Sequence, residues 1–175
     1  MTLHLVSHAE AMPSDTWQLA DDSLRPLTTK GYAQATALAR HLEAVPLDIV
    51  LAAPTSRCID TVLPVTLAHG LEIRTRHDLL PPGSVALASE LLQGRNQALL
   101  CAEGSVISDL LAVLAPSEPG VTPDDQVPAS IWTVEQGPEG LRVQQHPAVV
   151  PTSVGEVGWR RPRRSGVVVG GGGRL

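Results

Sequence analysis

Three polar residues of this chain stand where a buried apolar run gives way to polar sequence, and their types suit the handling of an anionic group: His8, Arg57 and Glu103. A histidine near its ordinary pKa can act as a nucleophile or carry a proton. An arginine offers a planar fork of donors that matches two oxygens of a phosphate or carboxylate. A carboxyl group gives or accepts a proton according to its surroundings. Ser7 adds one neutral hydroxyl beside His8. Other constellations fail on spacing. His4 precedes His8 by four, which would pair two metal ligands on a helix but not on a strand that ends in a turn. There is no Gly-x-Ser-x-Gly elbow. Cys58 and Cys101 lack paired-ligand spacing, so they read as free, buried thiols in a reducing cytoplasm.

The elements that must position these groups alternate. The apolar run from Leu3 to Val6 predicts a first buried strand ending at Ser7 and His8, followed by loop to Pro26. Thr28 or Thr29 can cap a helix to about Ala44, with Ala35, Leu38, Ala39 and Leu42 on one face and Pro46 beyond it. Asp48 to Ala52 predicts a second strand, and a helix from about Thr55 carries Arg57 in its first turn, with Pro64 expected to kink or divide it. Leu71 to Thr75 and Leu99 to Ala102 predict further strands. Helices are expected from about Ser84 to Leu92 and from Ser105 to Leu114, and a late hairpin over Ile131 to Gln145. This order argues an α/β fold, a three-layer sandwich with a mainly parallel sheet flanked by helices. In such sheets ligands bind beyond the carboxyl ends of the strands, which is where His8, Arg57 and Glu103 fall.

The segments in order resemble a known family. Leu5-Val6-Ser7-His8-Ala9-Glu10, Arg25-Pro26-Leu27-Thr28, Ala53-Pro54-Thr55-Ser56-Arg57 through Thr61, Leu79-Leu80-Pro81, and Leu99 to Leu111 are similar to successive motifs of the histidine phosphatase superfamily, the phosphoglycerate mutase-like group. The Leu-x-Pro form is that of the small bacterial phosphohistidine phosphatases. The resemblance spans residues 3 to 114. It implies a phosphoglycerate mutase-like fold, with His8 as nucleophile and Glu103 as the second catalytic position. Arg57, Arg25 and Ser7 take phosphate-binding positions, and no cofactor or metal is implied. It also implies a degenerate site, because Ser7 and Glu103 stand where the family has arginine and histidine. Two functions follow. One is weak hydrolysis of phosphohistidine or a phosphomonoester through His8, with a protonated Glu103 as the acid, so that activity rises as pH falls until His8 is protonated. The other is a non-catalytic binding or regulatory module that uses the altered cleft.

Composition narrows the partners. The 175 residues carry a net charge of −5, contain no Phe and are only 2% aromatic, which argues against nucleic acid and against base-stacking platforms. Residues 1–150 are expected to form one domain. Residues 151–175 are Pro-, Gly- and Arg-rich without periodicity and are expected to be a flexible tail. The N-terminus lacks the basic start of a signal peptide and no run is long enough to span a membrane, so the expected location is the cytoplasm. Expected partners are a phosphate-containing small molecule or a phosphohistidine protein if the site is active, and a protein if it is not.

Overall fold

The computed structural model describes residues 1–81, 86, 87, 90, 93, 94, 97–114, 127–138, 140–146 and 148. Its strands are β1 (Thr2–Ser7), β2 (Ile49–Ala52), β3 (Ile73–Thr75), β4 (Gln97–Ala102), β5 (Ile131–Gly137) and β6 (Gly140–His146). They form one sheet in the order β3-β2-β4-β1-β5-β6, parallel from β3 to β1 and antiparallel from β1 to β6. Three helices are described in full: α1 (Thr29–Leu42), α2 (Ser56–His69) and α3 (Gly104–Leu114). The sheet is mixed and its parallel half is the one the sequence pattern favoured. Consecutive side chains of β1 and β4 are buried along almost their whole length, so both faces of the sheet's centre are covered. Leu3, Leu5, Val6, Leu99, Leu100, Val106, Ile107 and Leu110 lie in that core.

Local chemistry explains the boundaries. The Thr28 side chain caps α1 by accepting from the Gly31 N–H at 3.0 Å. The helix stops at Leu42, short of the expected Ala44 and well before Pro46. At the far end of α2, Gly70 takes the left-handed conformation, φ 66°, which a residue with a Cβ adopts only at a cost. Of the two outcomes expected at Pro64, division does not occur: α2 runs unbroken through it. Val62, Val65 and Thr66 are buried on either side of it, and their burial outweighs the roughly 3 kcal/mol a mid-helix proline costs. Ala86, Leu87, Glu90 and Gln93 are helical, in keeping with the helix expected near Ser84 to Leu92. The rest of that segment and the tail expected from residue 151 lie outside the described residues. Cys58 and Cys101 are buried and unbridged.

Beyond β1 the chain passes between α1 and α2 and is held at nearly every polar atom. The Ala9 N–H donates to Thr61 Oγ1 at 2.9 Å and the Glu10 N–H to Gln34 Oε1 at 2.9 Å. The Glu10 carbonyl accepts from the Thr28 N–H at 2.9 Å, and Ala11 bridges to Leu27. Gly31 sits against that carbonyl, and a Cβ there would collide with the Glu10 oxygen and carbon. Replacing Gly31 by Ala is therefore expected to destabilise the fold by about 1–3 kcal/mol, the usual cost of overpacking. Urea unfolding should show the loss as a lower midpoint at unchanged slope.

Candidate active site

The register of β1 on β4 determines the site. Ser7 lies opposite Ala102, so the next residue of each strand, His8 and Glu103, leaves the sheet at the same level. The His8 N–H donates to the Ala102 carbonyl at 3.2 Å. On the other side of β4, the chain leaves β2 at Ala52, passes the cap position Thr55 and brings Arg57 into the first turn of α2. Three chain segments remote in sequence thus deliver His8, Glu103 and Arg57 to one point above the carboxyl ends of the central strands.

Glu103 bridges the other two. Its Oε2 lies 3.0 Å from His8 Nε2, and its Oε1 accepts from Arg57 Nε at 2.6 Å. The side chains of His8, Glu103 and Arg57 are 19%, 18% and 8% exposed, so water screens these contacts only partly. The other ring nitrogen of His8, Nδ1, is 2.8 Å from the Ala9 carbonyl oxygen. A carbonyl can only accept, so Nδ1 must carry a proton to make that bond. Glu103, when ionised, can also only accept. His8 stands between two acceptors and satisfies both only as an imidazolium.

The titration directions agree with this reading. Burial alone would lower the His8 pKa, but the hydrogen bond and charge of Glu103, helped by the Ala9 carbonyl, outweigh it and raise the pKa above its ordinary value. Burial would raise the Glu103 pKa, but the hydrogen bond and charge of His8, with those of Arg57, hold it below the usual carboxylate range. Between the lowered Glu103 pKa and the raised His8 pKa the two groups are therefore both ionised. The expectation of a protonated Glu103 serving as an acid to a neutral His8 is corrected: the arrangement favours the reverse distribution of the same two protons.

Arg25 and Ser7 are placed differently. Arg25 Nε donates to Asp22 Oδ1 at 2.7 Å and its NH1 to the Met12 carbonyl at 2.7 Å. Asp22 also meets Arg57, through its Oδ2 at 3.1 Å from NH2 and its carbonyl at 2.8 Å from NH1. The Arg25 hydrogen bond is the largest influence holding the Asp22 pKa below its ordinary value. Arg25 thus joins the site through Asp22, with no direct bond to His8 or Glu103. Ser7 turns away. Its hydroxyl donates to the Val127 carbonyl and accepts from the Ser130 N–H, both at 3.1 Å, and ties the end of β1 to the turn before β5. Asp22 was missed in the sequence, where its one signal is an acid three residues before Arg25. Among the described residues no group of His, Cys, Asp and Glu is arranged to hold a metal ion.

The pattern of the histidine phosphatase superfamily (branch 1) matches residues 3–80. The fold is similar to that of the protein histidine phosphatase SixA complexed with tungstate, at 27% identity and TM-score 0.69, over 86% of this chain and 97% of that one. Residues 3–80 carry the histidine phosphatase superfamily pattern, on a fold like that of SixA. Its fold is also shared with a putative phosphohistidine phosphatase SixA from Agrobacterium tumefaciens, at 17% identity and TM-score 0.65, over 82% of this chain and 94% of that one. A mycobacterial glucosyl-3-phosphoglycerate phosphatase in complex with VO3 is alike to the same degree, at 17% identity and TM-score 0.65, covering 82% and 96%. No curated protein sequence matches the chain. The phosphoglycerate mutase-like architecture expected from the sequence is the one observed.

Within this histidine phosphatase-like site the His8–Glu103 pair makes stability depend on pH in a defined window. Because the folded His8 pKa is raised, its contribution is complete below the unfolded value of 6.5 and is lost as pH rises through the folded pKa. Because the folded Glu103 pKa is lowered, its contribution is complete above the unfolded value of 4.5 and is lost as pH falls through the folded pKa. The stability difference between the wild type and Glu103→Gln should therefore be largest between pH 4.5 and 6.5 and shrink on both sides. Urea midpoints measured across pH check this, and a flat difference would contradict the ionised pair.

Proposed function

We propose that this protein is a histidine phosphatase relative whose phosphoryl site is held by its own carboxylates, so that hydrolysis of phosphohistidine or a phosphomonoester through His8 is weak or lost. The observation that carries the reading is the Glu103 carboxylate bridging His8 Nε2 and Arg57 Nε. The family's reaction needs the Nε2 lone pair to attack phosphorus, forming an N–P bond as the bond to the leaving group breaks, P–O in a phosphomonoester or P–N in a phosphohistidine, with a proton passing to the leaving atom; water then cleaves the phosphoenzyme to free His8 and phosphate. Here Nε2 is protonated and the arginine fork is filled. A phosphoryl group entering beside the carboxylate meets repulsion of about 4 kcal/mol per unit charge at ~4 Å and an effective dielectric near 20, roughly three powers of ten in affinity. In this reading Arg57 and Arg25 are the phosphate-binding cations, neutralised by Glu103 and Asp22.

The same pairing favours a second reading, a non-catalytic module that binds a protein or small ligand at the altered cleft. Hydrolysis of aryl phosphate and phosphohistidine, with His8→Ala as control, separates the two. Equal slow rates for wild type and His8→Ala would remove the enzyme.

Restoring the charge tests the proposal itself. Ser7→Arg with Glu103→His removes the anion that faces an entering phosphate and adds two donors, and tungstate or vanadate affinity should rise by two or more orders of magnitude. The double variant gives up the Ser7 hydroxyl bonds to Val127 and Ser130, so some loss of stability accompanies the gain. Calorimetric titration at equal pH decides: unchanged weak binding would show that charge is not what closes the site.

A further inference from the structure

Two buried polar side chains outside the cleft, Thr61 and Gln34, bond to successive peptides that follow His8. Thr61 is fully buried on α2 and Gln34 is 6% exposed on α1. Thr61 Oγ1 accepts from the Ala9 N–H at 2.9 Å and donates to the Arg57 carbonyl at 2.6 Å. One hydroxyl therefore fixes the His8–Ala9 peptide against the backbone of the residue that supplies the site's buried arginine. Gln34 Oε1 accepts from the Glu10 N–H at 2.9 Å. That N–H belongs to the Ala9–Glu10 peptide, whose carbonyl is the acceptor for His8 Nδ1 at 2.8 Å. A peptide whose N–H is already engaged is a stronger acceptor at its oxygen, because hydrogen bonds in a chain polarise one another.

We propose that Thr61 and Gln34 are positioning residues that select the tautomer of His8: by holding the two peptides after it, they keep the Ala9 carbonyl on Nδ1 and leave Nε2 as the nitrogen that faces the cleft. This deepens the phosphatase-like reading of the same site and rests on it for its functional meaning, since only Nε2 faces Arg57 and Glu103. Neither residue touches the reacting position. Each acts through the backbone, and they do so from different helices, so loss of either should loosen the same ring.

The test is spectroscopic and needs no turnover. Glu103 competes for the ring proton, so the full chain carrying Glu103→Gln is the reference, with ring-nitrogen-labelled histidine observed by long-range 1H–15N correlation above the His8 titration. The reference should show His8 mainly protonated at Nδ1. Adding Thr61→Val, or Gln34→Asn, which shortens the acceptor arm by one methylene, should shift population to the Nε2-protonated form, and Thr61→Ser should restore the reference spectrum. The ring signals of His69, whose Nε2 lies 3.1 Å from the Leu42 carbonyl, should stay where they are. A His8 tautomer ratio unchanged by Thr61→Val overturns the proposal. Should Thr61→Val not fold, an unchanged ratio in Gln34→Asn does so alone. Oxyanion affinity is read separately: an intact clamp without restored tungstate binding in Ser7→Arg/Glu103→His would leave the tautomer assignment standing and remove the functional reading.

Discussion

The parallel pairing of β1 with β4 is the constraint on which the site depends. With Val6 opposite Cys101 and Ser7 opposite Ala102, the two strands end in step, and the first residue beyond each is set side by side. A slip of one residue would turn His8 to the other face of the sheet, as it would every buried side chain of β1. The register is in turn fixed by burial, because Leu3, Leu5, Leu99 and Leu100 occupy the core between layers that cover both faces. Burial of a few aliphatic side chains thus brings the His8 ring nitrogen to the Glu103 carboxylate.

Around that pair the charges alternate along one line: Arg25, Asp22, Arg57, Glu103 and His8, each bonded to the next. With His8 protonated the line carries one net positive charge. Its ends differ in what holds them. Asp22 is 54% exposed at the start of a short 3-10 turn, Asp22–Leu24, where an ion pair contributes little and is easily exchanged, whereas Glu103 is mostly enclosed and is held by two partners. An entering anion could displace Asp22 with modest loss, but displacing Glu103 leaves a partly buried carboxylate without either of its bonds. The firmest hold on Arg57 and His8 is therefore the one carboxylate of Glu103.

Much of this was legible in the sequence because it is written in local periodicity. Apolar runs mark β1, β2 and β4, Thr28 marks the start of α1, and the polar residue after each run marks the cleft. The side chains' partners were less legible. Ser7 and His8 are adjacent at a strand end, so they point apart, and Ser7 is taken by a turn more than a hundred residues away that no local signal announces. Asp22 lies in a one-turn 3-10 helix that periodicity does not mark, and it meets Arg57 across 35 residues of sequence. The protonation of His8 was open for the same reason: it depends on the Ala9 carbonyl facing Nδ1, a matter of backbone direction and not of residue type.

That carbonyl makes Glu103 a stronger obstacle than a misplaced charge. Simple repulsion would weaken phosphate binding and leave the nucleophile intact, so raising the pH should free the ring to attack. Between two acceptors the ring behaves otherwise. When the imidazolium loses one proton, the remaining proton is shared between a neutral carbonyl and a carboxylate, and the carboxylate is the stronger acceptor. Glu103 thus competes with the Ala9 carbonyl for the surviving proton, against the bias toward Nδ1 proposed for Thr61 and Gln34. Below the His8 pKa the charged ring has no lone pair on Nε2, and above it Nε2 has one only to the extent that the proton stays on Nδ1. On the function proposed for this cleft, a histidine at the end of β4 would donate to an entering phosphoryl group without drawing the His8 proton, so the single residue Glu103 would bear both on what the cleft attracts and on whether His8 can react.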